Sequence, residues 1–374
     1  MPVPALRGGA VNRFWAELAP ELVLAGHSVT IIARHFQGQP STETLNGVNY
    51  IRRGGFDALQ YRSYNYLRSL VSSIMTTIRL PPGDIYITND AFSPWMMGLY
   101  GRSAKTLVAV GRAPKGQYRS YPRKLTLAVP TRAIANSILL EAPQFRERCH
   151  VLPYAIDTDI FCPRATISAQ TPSLDESNQF PLSSVLYAGR IHPEKGIDLL
   201  LAAFRLAFTV NRKLQLTVVG PVAPEEGGGG PAYLRSLQMA STDLPVTWKE
   251  PIFEVIELAN LYRSHGWFVY PSLSDKGETF GLAPLEAMAC GAVPIVSGLE
   301  CFKDFIDPNV NALVFDHRKE SSVIELANIL ASLPDHRHDV MSQSAQHAAA
   351  NFGLSMVVKK WLRVLENIYM ARAA

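Results

Sequence analysis

Two carboxylates stand eight positions apart in the stretch SDKGETFGLAPLEAMACG, residues 274–291. Pro284 predicts the first turn of a helix, so Gly281 and its neighbours can present backbone N–H groups to an anion, with the helix dipole adding positive potential. Glu278 lies before this helix start and Glu286 within it. Glu286 could also do no more than complement the dipole, and Glu278 could be a solvated loop acid. The spacing alone leaves these possibilities open.

Two cations follow a predicted strand in a second stretch, VLYAGRIHPEKGIDLLLAAF, residues 185–204. Arg190 and Lys195 lie in the loop between that strand and the next helix. Ligands of open parallel sheets bind just past the carboxyl ends of the strands. A guanidinium fork and an ammonium point charge there suit a diphosphate. Two solvated surface cations are the alternative, and the position at a strand end favours a functional role.

The elements that must position these residues alternate along nearly the entire chain. Short apolar runs alternate with stretches of helical period, which is typical of α/β domains with parallel sheets. A polar, Ser- and Pro-rich segment near 165–182 predicts a linker between two doubly wound domains. The predicted strands are Val29–Ala33, Asp84–Thr88, Leu107–Val110, Ala133–Asn136, His150–Tyr154, Val185–Ala188, Leu216–Val219, Trp267–Tyr270 and Val293–Val296.

Composition agrees with two domains of an intracellular type. The chain has 374 residues, 47% of them apolar, which is enough for two cores. No apolar run reaches the length of a membrane span, and the start has no signal-peptide pattern. Four cysteines form no C-x-x-C pair, which favours a reducing compartment. Residues 1–150 hold 18 Lys and Arg against 8 Asp and Glu, a net charge of +10 that predicts an anionic partner for the first domain.

Two further stretches invite a ligand and are interpreted more simply. The loop VAPEEGGGG, residues 222–230, lacks the spaced glycines and the Lys-Ser/Thr step of a phosphate loop, so we predict a floppy surface connection. The DTD sequence at 157–159 follows the last predicted strand of the first domain. That position does not suit a metal site, and we expect no metal there.

Taken together, these motifs resemble the retaining sugar-nucleotide glycosyltransferases of family 4, which have the GT-B fold. Arg190, Lys195 and the spacing of Glu278 and Glu286 match the signature of that family. The segments RGGAVNRF, GHSVTIIAR, IANSILL, VLPYAIDTDIF and FGLSMVVKKWLRVLENIY are similar to family segments along nearly the full chain. The resemblance implies two Rossmann-like domains facing across a cleft, at 1–165 and 166–351, with a C-terminal helix, 352–374, that crosses back to the first domain.

The resemblance also implies a role for each matching residue. Arg190 and Lys195 would neutralise the donor diphosphate and stabilise the leaving nucleotide, so that no metal or other cofactor is needed. Glu278 would lie beside the transferred sugar, and Glu286 would bind the ribose hydroxyls. The backbone of Phe280, Gly281 and Leu282 would bind sugar hydroxyls and phosphate, and Gly8 and Gly9 would let the first domain approach the donor closely.

The expected function is transfer of a hexose, with glucose from UDP-glucose as first choice, to a glycan or glycolipid acceptor with retained configuration. Bacterial polysaccharide biosynthesis is the expected setting, in the cytoplasm or peripherally on the inner face of the membrane, with no nucleic-acid partner. A nucleotide-sugar hydrolase or epimerase could use much of the same donor site. A catalytically idle protein that binds a sugar nucleotide for assembly is the third possibility.

The first domain departs from the family pattern near the acceptor. Where the family often has histidine, this chain has Asn89-Asp90 and Gly111-Arg112, so Asp90, Arg112 and Lys115 become candidate acceptor contacts without a motif to assign them. Residues 102–132 contain eight Lys and Arg and no acid, which predicts either a face for an anionic membrane or a solvated basic face. Only MPVPALR precedes Gly8, so we expect either an upstream start or a short or absent central strand.

Overall fold

A computed structural model of the chain describes residues 10–36, 38–54, 62–164 and 182–371. The chain divides into two compact units. The first unit comprises Met1–Tyr154 and Leu354–Ala374, and the second comprises Ala155–Gly353. The predicted linker near 165–182 lies, apart from its last residue, outside the described residues. No helix in the described part of the chain combines the length and the apolar character needed to cross a membrane.

The described elements of the first unit form two separate sheets and five α-helices. The strand order is β1-β3-β2 in one sheet and β4-β5-β6-β7 in the other. The helices are α1 (Ala10–Leu24), α2 (Arg62–Ile78), α3 (Ser93–Leu99), α4 (Arg132–Glu141) and α11 (Leu354–Met370), and the strands are β1 (Thr30–Arg34), β2 (Thr42–Leu45), β3 (Val48–Arg53), β4 (Tyr86–Thr88), β5 (Thr106–Ala109), β6 (Thr126–Val129) and β7 (Cys149–Val151).

The smaller sheet contains a hairpin that the prediction missed. Strands β2 and β3 are antiparallel, and Leu45 pairs with Val48 across a two-residue turn. Asn46 and Gly47 both have positive φ, as a type I′ turn requires. Strand β1 then pairs parallel to β3, one residue later than the predicted Val29–Ala33.

The larger sheet of the first unit is parallel throughout, and it corrects one predicted strand. Ala133–Asn136 lies inside helix α4, and the strand is β6, which ends just before it. The reason is local, because the Thr131 side chain caps the helix by accepting a hydrogen bond from the backbone N–H of Ile134. Strands β5 and β6 are buried on both faces and provide the core of this sheet.

The C-terminal helix α11 belongs to the first unit, where its apolar stripe packs against α1. Trp361 is almost fully buried, and its ring lies 5.8 Å from that of Phe14 and 5.3 Å from that of Trp15. Val357 and Leu365 are buried beside it. The C-terminal helix therefore packs on the first unit, as predicted, through residues at helical spacing.

The second unit is a single parallel sheet of six strands with helices between them. Its strand order is β10-β9-β8-β11-β12-β13. The strands are β8 (Ser184–Ala188), β9 (Gln215–Val219), β10 (Val246–Lys249), β11 (Trp267–Tyr270), β12 (Val293–Ser297) and β13 (Leu313–Phe315), and the α-helices are α5 (Ile197–Val210), α6 (Pro231–Ala240), α7 (Val255–Arg263), α8 (Leu282–Ala289), α9 (Ser322–Ala331) and α10 (His338–Ala350). All four strands predicted in this part of the chain are confirmed, and the fold class is α/β as predicted.

Candidate functional site

Two loops of the second unit meet at the carboxyl ends of neighbouring strands. The first loop joins β8 to α5, and the second joins β11 to α8, and β8 pairs directly with β11. Leu273 N–H donates to the Glu194 carbonyl oxygen across the two loops at 2.9 Å. A Cβ on Gly196 would overlap the Pro271 carbonyl oxygen, so only glycine allows this approach. This is the place where open parallel sheets bind ligands.

Lys195 and Glu278 form an ion pair at this junction. The Lys195 ammonium donates to Glu278 Oε2 at 2.6 Å, and both side chains are largely buried. The two residues are 83 positions apart in the sequence, yet the adjacency of β8 and β11 brings them together. The structure therefore joins one cation and one acid that the sequence assigned to the same site.

Tyr270 fixes the position of the Glu278 carboxylate. Its hydroxyl donates to the same Oε2 at 3.1 Å, and the Lys195 ammonium lies 5.2 Å from the centre of its ring. Burial raises the pKa of Tyr270 well above its ordinary value, and the nearby Glu278 charge acts in the same direction. Tyr187 stacks on Tyr270 with ring centres 6.1 Å apart. Because the tyrosines stay neutral, Tyr270 can donate to Glu278 at any ordinary pH.

Arg190 lies in the same loop but faces the glycine-rich segment. Its guanidinium donates to Glu194 Oε1 at 2.5 Å and to the Gly227 carbonyl oxygen at 2.7 Å. The side chain is still 39% exposed, and a guanidinium has five N–H donors, so some donors are open to an anion. Lys195 is thus the cation at Glu278, whereas Arg190 lies beside it with a partner of its own.

The glycine-rich loop is neither a phosphate cradle nor a floppy connection. The backbone N–H groups of its four glycines donate to carbonyl oxygens of the protein, namely Gly227 to Pro224, Gly228 to Ala223, Gly229 to Ile191 and Gly230 to Val222. None of these four donors is left for a phosphate. The prediction of a floppy connection was wrong, because three of these bonds fold the loop on itself, and the Gly229 bond to Ile191 and the Arg190 bond to Gly227 hold it against the Arg190 loop.

Helix α8 starts without a side-chain cap. Its N-cap residue Gly281 has φ +99°, and a Cβ there would overlap the Phe302 ring. Phe280 is buried and packs against Phe305 and Phe352, with ring centres 5.6 and 5.8 Å away. Leu282, the first residue of the helix, is half-buried. A first helical turn without a side-chain cap favours an anion or polar ligand at this end.

Glu286 lies inside α8 and is 3% exposed. The Tyr262 hydroxyl of α7 donates to Glu286 Oε2 at 3.2 Å. A buried carboxylate is costly unless it is hydrogen-bonded, so this acid does more than complement the helix dipole from the surface. A carboxylate has lone pairs for more than one hydroxyl donor.

The candidate acceptor residues lie in the first unit, at the carboxyl ends of its larger sheet. Asp90 Oδ1 accepts from Ser73 Oγ at 2.7 Å and from the Phe92 and Ser93 N–H groups, so it holds the start of α3. Arg112 and Lys115 follow β5 and are exposed. Gly8 and Gly9, predicted to approach the donor, lie outside the described residues.

The basic segment 102–132 is divided between the two ends of the larger sheet. Arg112 and Arg132 follow the carboxyl ends of β5 and β6, whereas Arg102 and Lys124 precede the amino ends of the same strands. Parallel strands place these two groups at opposite edges. The prediction treated the segment as one continuous basic face. That is wrong, because its cations lie at both ends of the sheet.

Sequence reasoning did not identify Tyr262 and Tyr270 as members of the site. Tyr270 is the last residue of β11 and Tyr262 is near the end of α7, so both read as ordinary core aromatics. The available signal was the position of Tyr270 immediately before the Pro-Ser step of the loop. No three His, Cys, Asp or Glu side chains come together as metal ligands within the residues that the structure describes.

The region that contains this site is similar to a described family of proteins. Residues 176–347 match the family model described as Glycosyl transferases group 1. The D-inositol 3-phosphate glycosyltransferase of Thermobispora bispora is 25% identical over 395 residues, which cover 95% of this chain and 89% of the relative. Residues 176–347, the part that matches the family model, contain both loops of the site and all of α8.

Solved structures agree in fold over nearly the full length. Sucrose-phosphate synthase from Thermosynechococcus elongatus has a TM-score of 0.74 at 20% identity, covering 97% of this chain and 94% of its own. HepE of Anabaena, solved with UDP and glucose, has a TM-score of 0.69 at 15% identity, covering 96% of each chain. The fold is GT-B, with two Rossmann-like domains. The second unit accordingly contains the region that matches the Glycosyl transferases group 1 model, and this match, together with the names of the relatives, indicates a glycosyltransferase.

Proposed function

We propose that the protein transfers a hexose, with UDP-glucose as the first donor to test, to a glycan or glycolipid with retained configuration and without a metal ion. The observation that carries the proposal is the buried Lys195–Glu278 pair beside the uncapped start of α8. Cation, acid and helix start together match the chemistry of a sugar joined to a diphosphate. The solved complex of HepE with UDP and glucose supports this choice of donor.

Each group at the site has a part in the proposed reaction. Departure of the nucleoside diphosphate leaves positive character on the sugar and places negative charge on the phosphate oxygens. Lys195 and Arg190 stabilise that charge, as fixed cations do best in a site from which water is excluded. The acceptor hydroxyl attacks from the face that the leaving group vacates and gives its proton to the departing phosphate oxygen, so the configuration is retained. Glu278 holds the sugar, and no covalent bond to it is proposed.

Glu286 and the α8 turn bind the rest of the donor. The Glu286 carboxylate can accept from two ribose hydroxyls, and the backbone of Phe280, Gly281 and Leu282 meets the diphosphate and sugar. Metal independence follows from this assignment, because Lys195 and Arg190 supply the positive charge that a divalent ion supplies in other sugar transferases.

A phosphorylated small acceptor is a second candidate. The relatives include D-inositol 3-phosphate glycosyltransferases, and the structural neighbours include sucrose-phosphate synthase. Both names contain a phosphorylated compound. In this chain Arg112 and Lys115 are exposed at the carboxyl ends of the first unit's larger sheet, where they suit a phosphate. Asp90 is largely engaged in holding α3 and is the weaker candidate for acceptor contact.

The test is turnover with UDP-, GDP- and ADP-sugars, with and without glycan, glycolipid and phosphorylated-polyol acceptors, each measured with and without EDTA. We expect acceptor-dependent release of UDP and an unchanged rate with EDTA. Release of nucleotide without any acceptor would favour a hydrolase, and interconversion of the donor sugar an epimerase. Binding of donor with no turnover would favour the idle assembly protein. Loss of activity in EDTA would overturn the metal-free assignment.

The cellular setting is the remaining part of the proposal. We place the protein in the cytoplasm, in polysaccharide biosynthesis, with peripheral contact to an anionic membrane involving cations of residues 102–132. Support comes from the net charge of +10 over residues 1–150. The division of those cations between two edges means that only one group of them can meet a flat surface at a time.

A further inference from the structure

Exposed apolar side chains gather at the amino ends of the first unit's larger sheet. Helix α3 ends at Leu99, which is 79% exposed, and helix α2 ends at Ile78, which is 54% exposed. The two helices pack against each other, and from their ends the chain returns to the starts of β4 and β5. Tyr100 is exposed next to Leu99. This edge is opposite the carboxyl ends where the candidate acceptor residues lie.

Positive charge surrounds these apolar residues. The segments 79–85, 99–105, 120–125 and 142–148, which directly precede β4 to β7, together form what we call the amino-edge surface. These four segments, all of them described, contain seven cations and two acids. The cations are Arg79, Arg102, Lys105, Arg123, Lys124, Arg146 and Arg148, and the acids are Asp84 and Glu147.

Contacts between the segments show that they form one surface. The Arg102 guanidinium lies 5.2 Å from the ring centre of Tyr86, the first residue of β4. Arg148 Nη1 donates to the Lys124 carbonyl oxygen at 3.4 Å. A Cβ on Gly98 would lie only 2.5 Å from Pro122 Cγ, so the end of α3 sits directly against the turn that carries Arg123. The apolar and cationic groups therefore share one surface at the amino ends of the strands.

Helix α2 adds further exposed aliphatic side chains to those at the amino-edge surface. Val71, Met75 and Ile78 are exposed at positions i, i+4 and i+7, which places them on one stripe. The opposite side of the helix is buried through small polar residues, because the Ser73 hydroxyl donates to Asp90 and the Thr77 hydroxyl to the Ser73 carbonyl oxygen. Among its described side chains, α2 therefore buries Ser73 and Thr77 and leaves the three aliphatic side chains of the stripe exposed.

We infer that the amino-edge surface and the α2 stripe dock the protein on an anionic lipid bilayer. Aliphatic groups that can enter the headgroup region, ringed by Lys and Arg, fit an anionic membrane surface. A nucleic acid or a soluble polyanion would use the cations but leave Leu99 and the α2 stripe in water. The proposal deepens the peripheral membrane contact given under the proposed function and does not depend on the proposed transfer reaction.

The test is co-sedimentation of the full chain with phosphatidylcholine vesicles, with and without about a third of phosphatidylglycerol, at low and high salt. We expect partition onto the anionic vesicles, weaker partition at high salt and little onto the neutral ones. Two double variants separate the contributions, Ile78→Glu with Leu99→Glu for the apolar part and Arg123→Glu with Lys124→Glu for the cations. Each should lower the partition coefficient by about tenfold or more.

Matched controls lie in the second unit. Val210→Glu with Met239→Glu replaces two aliphatic side chains that are each 76% exposed, and Lys213→Glu with Arg235→Glu reverses two exposed cations. The controls change net charge by the same amount and should leave partition within about twofold of the wild type. Because all eight side chains are exposed, circular dichroism should show unchanged folding.

The outcomes separate cleanly. Equal binding to neutral and anionic vesicles, or binding to neither, overturns the proposal. Loss of binding on reversing Arg123 and Lys124 but none on replacing Ile78 and Leu99 would show a polyanion surface instead of a bilayer contact, and also overturns it. Equal losses in the second-unit controls would assign the effect to total charge. Since the assay reads binding alone, its failure leaves the proposed sugar transfer untouched.

Discussion

At the scale of single residues, the two cations of the site have different partners. Lys195 meets Glu278 directly, whereas Arg190 is tied to Glu194 and the Gly227 carbonyl oxygen. Lys195 has the smaller exposure and the more constrained position, so the structure singles it out as the central cation of the proposed site. Arg190 is the outer one. The two are not interchangeable, although the sequence presents them as a pair.

We expect Lys195→Ala to lower kcat by about 10²–10³, because loss of a group that stabilises transition-state charge has an effect of that size. The measurement is initial rate with UDP-glucose and the acceptor found active. Lys213→Ala, at an exposed lysine of the same unit, is the control and should stay within twofold. Since Glu278 loses its partner, melting curves must show that the variant is folded. A folded Lys195→Ala enzyme with full kcat would refute the assignment.

Glu286→Ala should act mainly on donor affinity. A hydrogen bond to a charged group contributes about 1.5–3 kcal/mol, so loss of the ribose contacts should raise the donor KM by about 10- to 100-fold with a smaller change in kcat. Tyr262→Phe removes the hydroxyl that bonds to Glu286 while leaving the carboxylate, and should give an intermediate KM. An unchanged KM in Glu286→Ala, with wild-type kcat, would contradict the ribose role.

At the scale of elements, the site exists because two loops approach closely. Gly196 ends the first loop at φ +71°, and its missing Cβ leaves room for the Pro271 carbonyl oxygen of the second. Leu273 N–H bonds to the Glu194 carbonyl oxygen beside this contact. The backbone therefore sets the distance between Lys195 and Glu278, and the ion pair itself follows from that spacing.

Gly196→Ala tests the element contact. Alanine at this position must adopt a left-handed backbone conformation, and its Cβ must displace the Pro271 carbonyl oxygen. We therefore expect lower stability and at least tenfold lower activity. Gly116→Ala is the control, because Gly116 is also left-handed, with φ +93° and ψ −9°, and an added Cβ would have no heavy atom within 4 Å. The free energy of unfolding should fall by about 2 kcal/mol more in Gly196→Ala than in Gly116→Ala, measured by urea titration. Equal losses would mean that the close approach is unimportant.

The elements also show what sequence can and cannot provide. Alternating apolar runs located β8, β9, β11 and β12, since buried parallel strands are nearly continuous in apolar residues. The hairpin at Asn46-Gly47 was missed although Asn-Gly between short alternating runs is a strong hairpin signal. Ala133–Asn136 was assigned to a strand because a short apolar run cannot be separated from a helix by period alone. The Thr131 cap was the deciding residue.

The site itself was only partly predictable. Motif spacing selected Lys195, Glu278 and Glu286, but the contact between the first two depends on the pairing of β8 with β11, which the chain reaches only after passing through β9 and β10. Non-local pairing of this kind is not encoded in any short window of sequence. The role of Tyr270 follows from the same pairing and was invisible for the same reason.

At the scale of the molecule, the donor residues assigned in the described chain all belong to the second unit, while the candidate acceptor cations and the cations of the amino-edge surface belong to the first. A donor that binds only the folded second unit must stabilise it by mass action. At a UDP concentration of about 100 times Kd this amounts to about 2.7 kcal/mol. The charge asymmetry of the sequence thus separates two functions between two units.

UDP should therefore raise the melting temperature by about 5–10 °C at that concentration, as expected for a unit of roughly 200 residues. The shift should be the same with and without EDTA, since no metal is proposed in the site. Glu286→Ala should reduce the shift, and the amino-edge variant Arg123→Glu with Lys124→Glu should not. Differential scanning fluorimetry gives all of these values. A shift that requires added Mg²⁺ would argue for a metal-dependent donor site.

The pairing of Lys195 with Glu278 has a consequence for turnover. A nucleotide that arrives without its sugar must share the lysine with a carboxylate of its own sign, whereas an intact donor offers that carboxylate a sugar hydroxyl to accept from. Once the hexose has been handed on, the spent nucleotide therefore faces a repulsion that the donor did not. For the proposed reaction, we expect release of the spent nucleotide to be quick and inhibition by accumulated product to be weak.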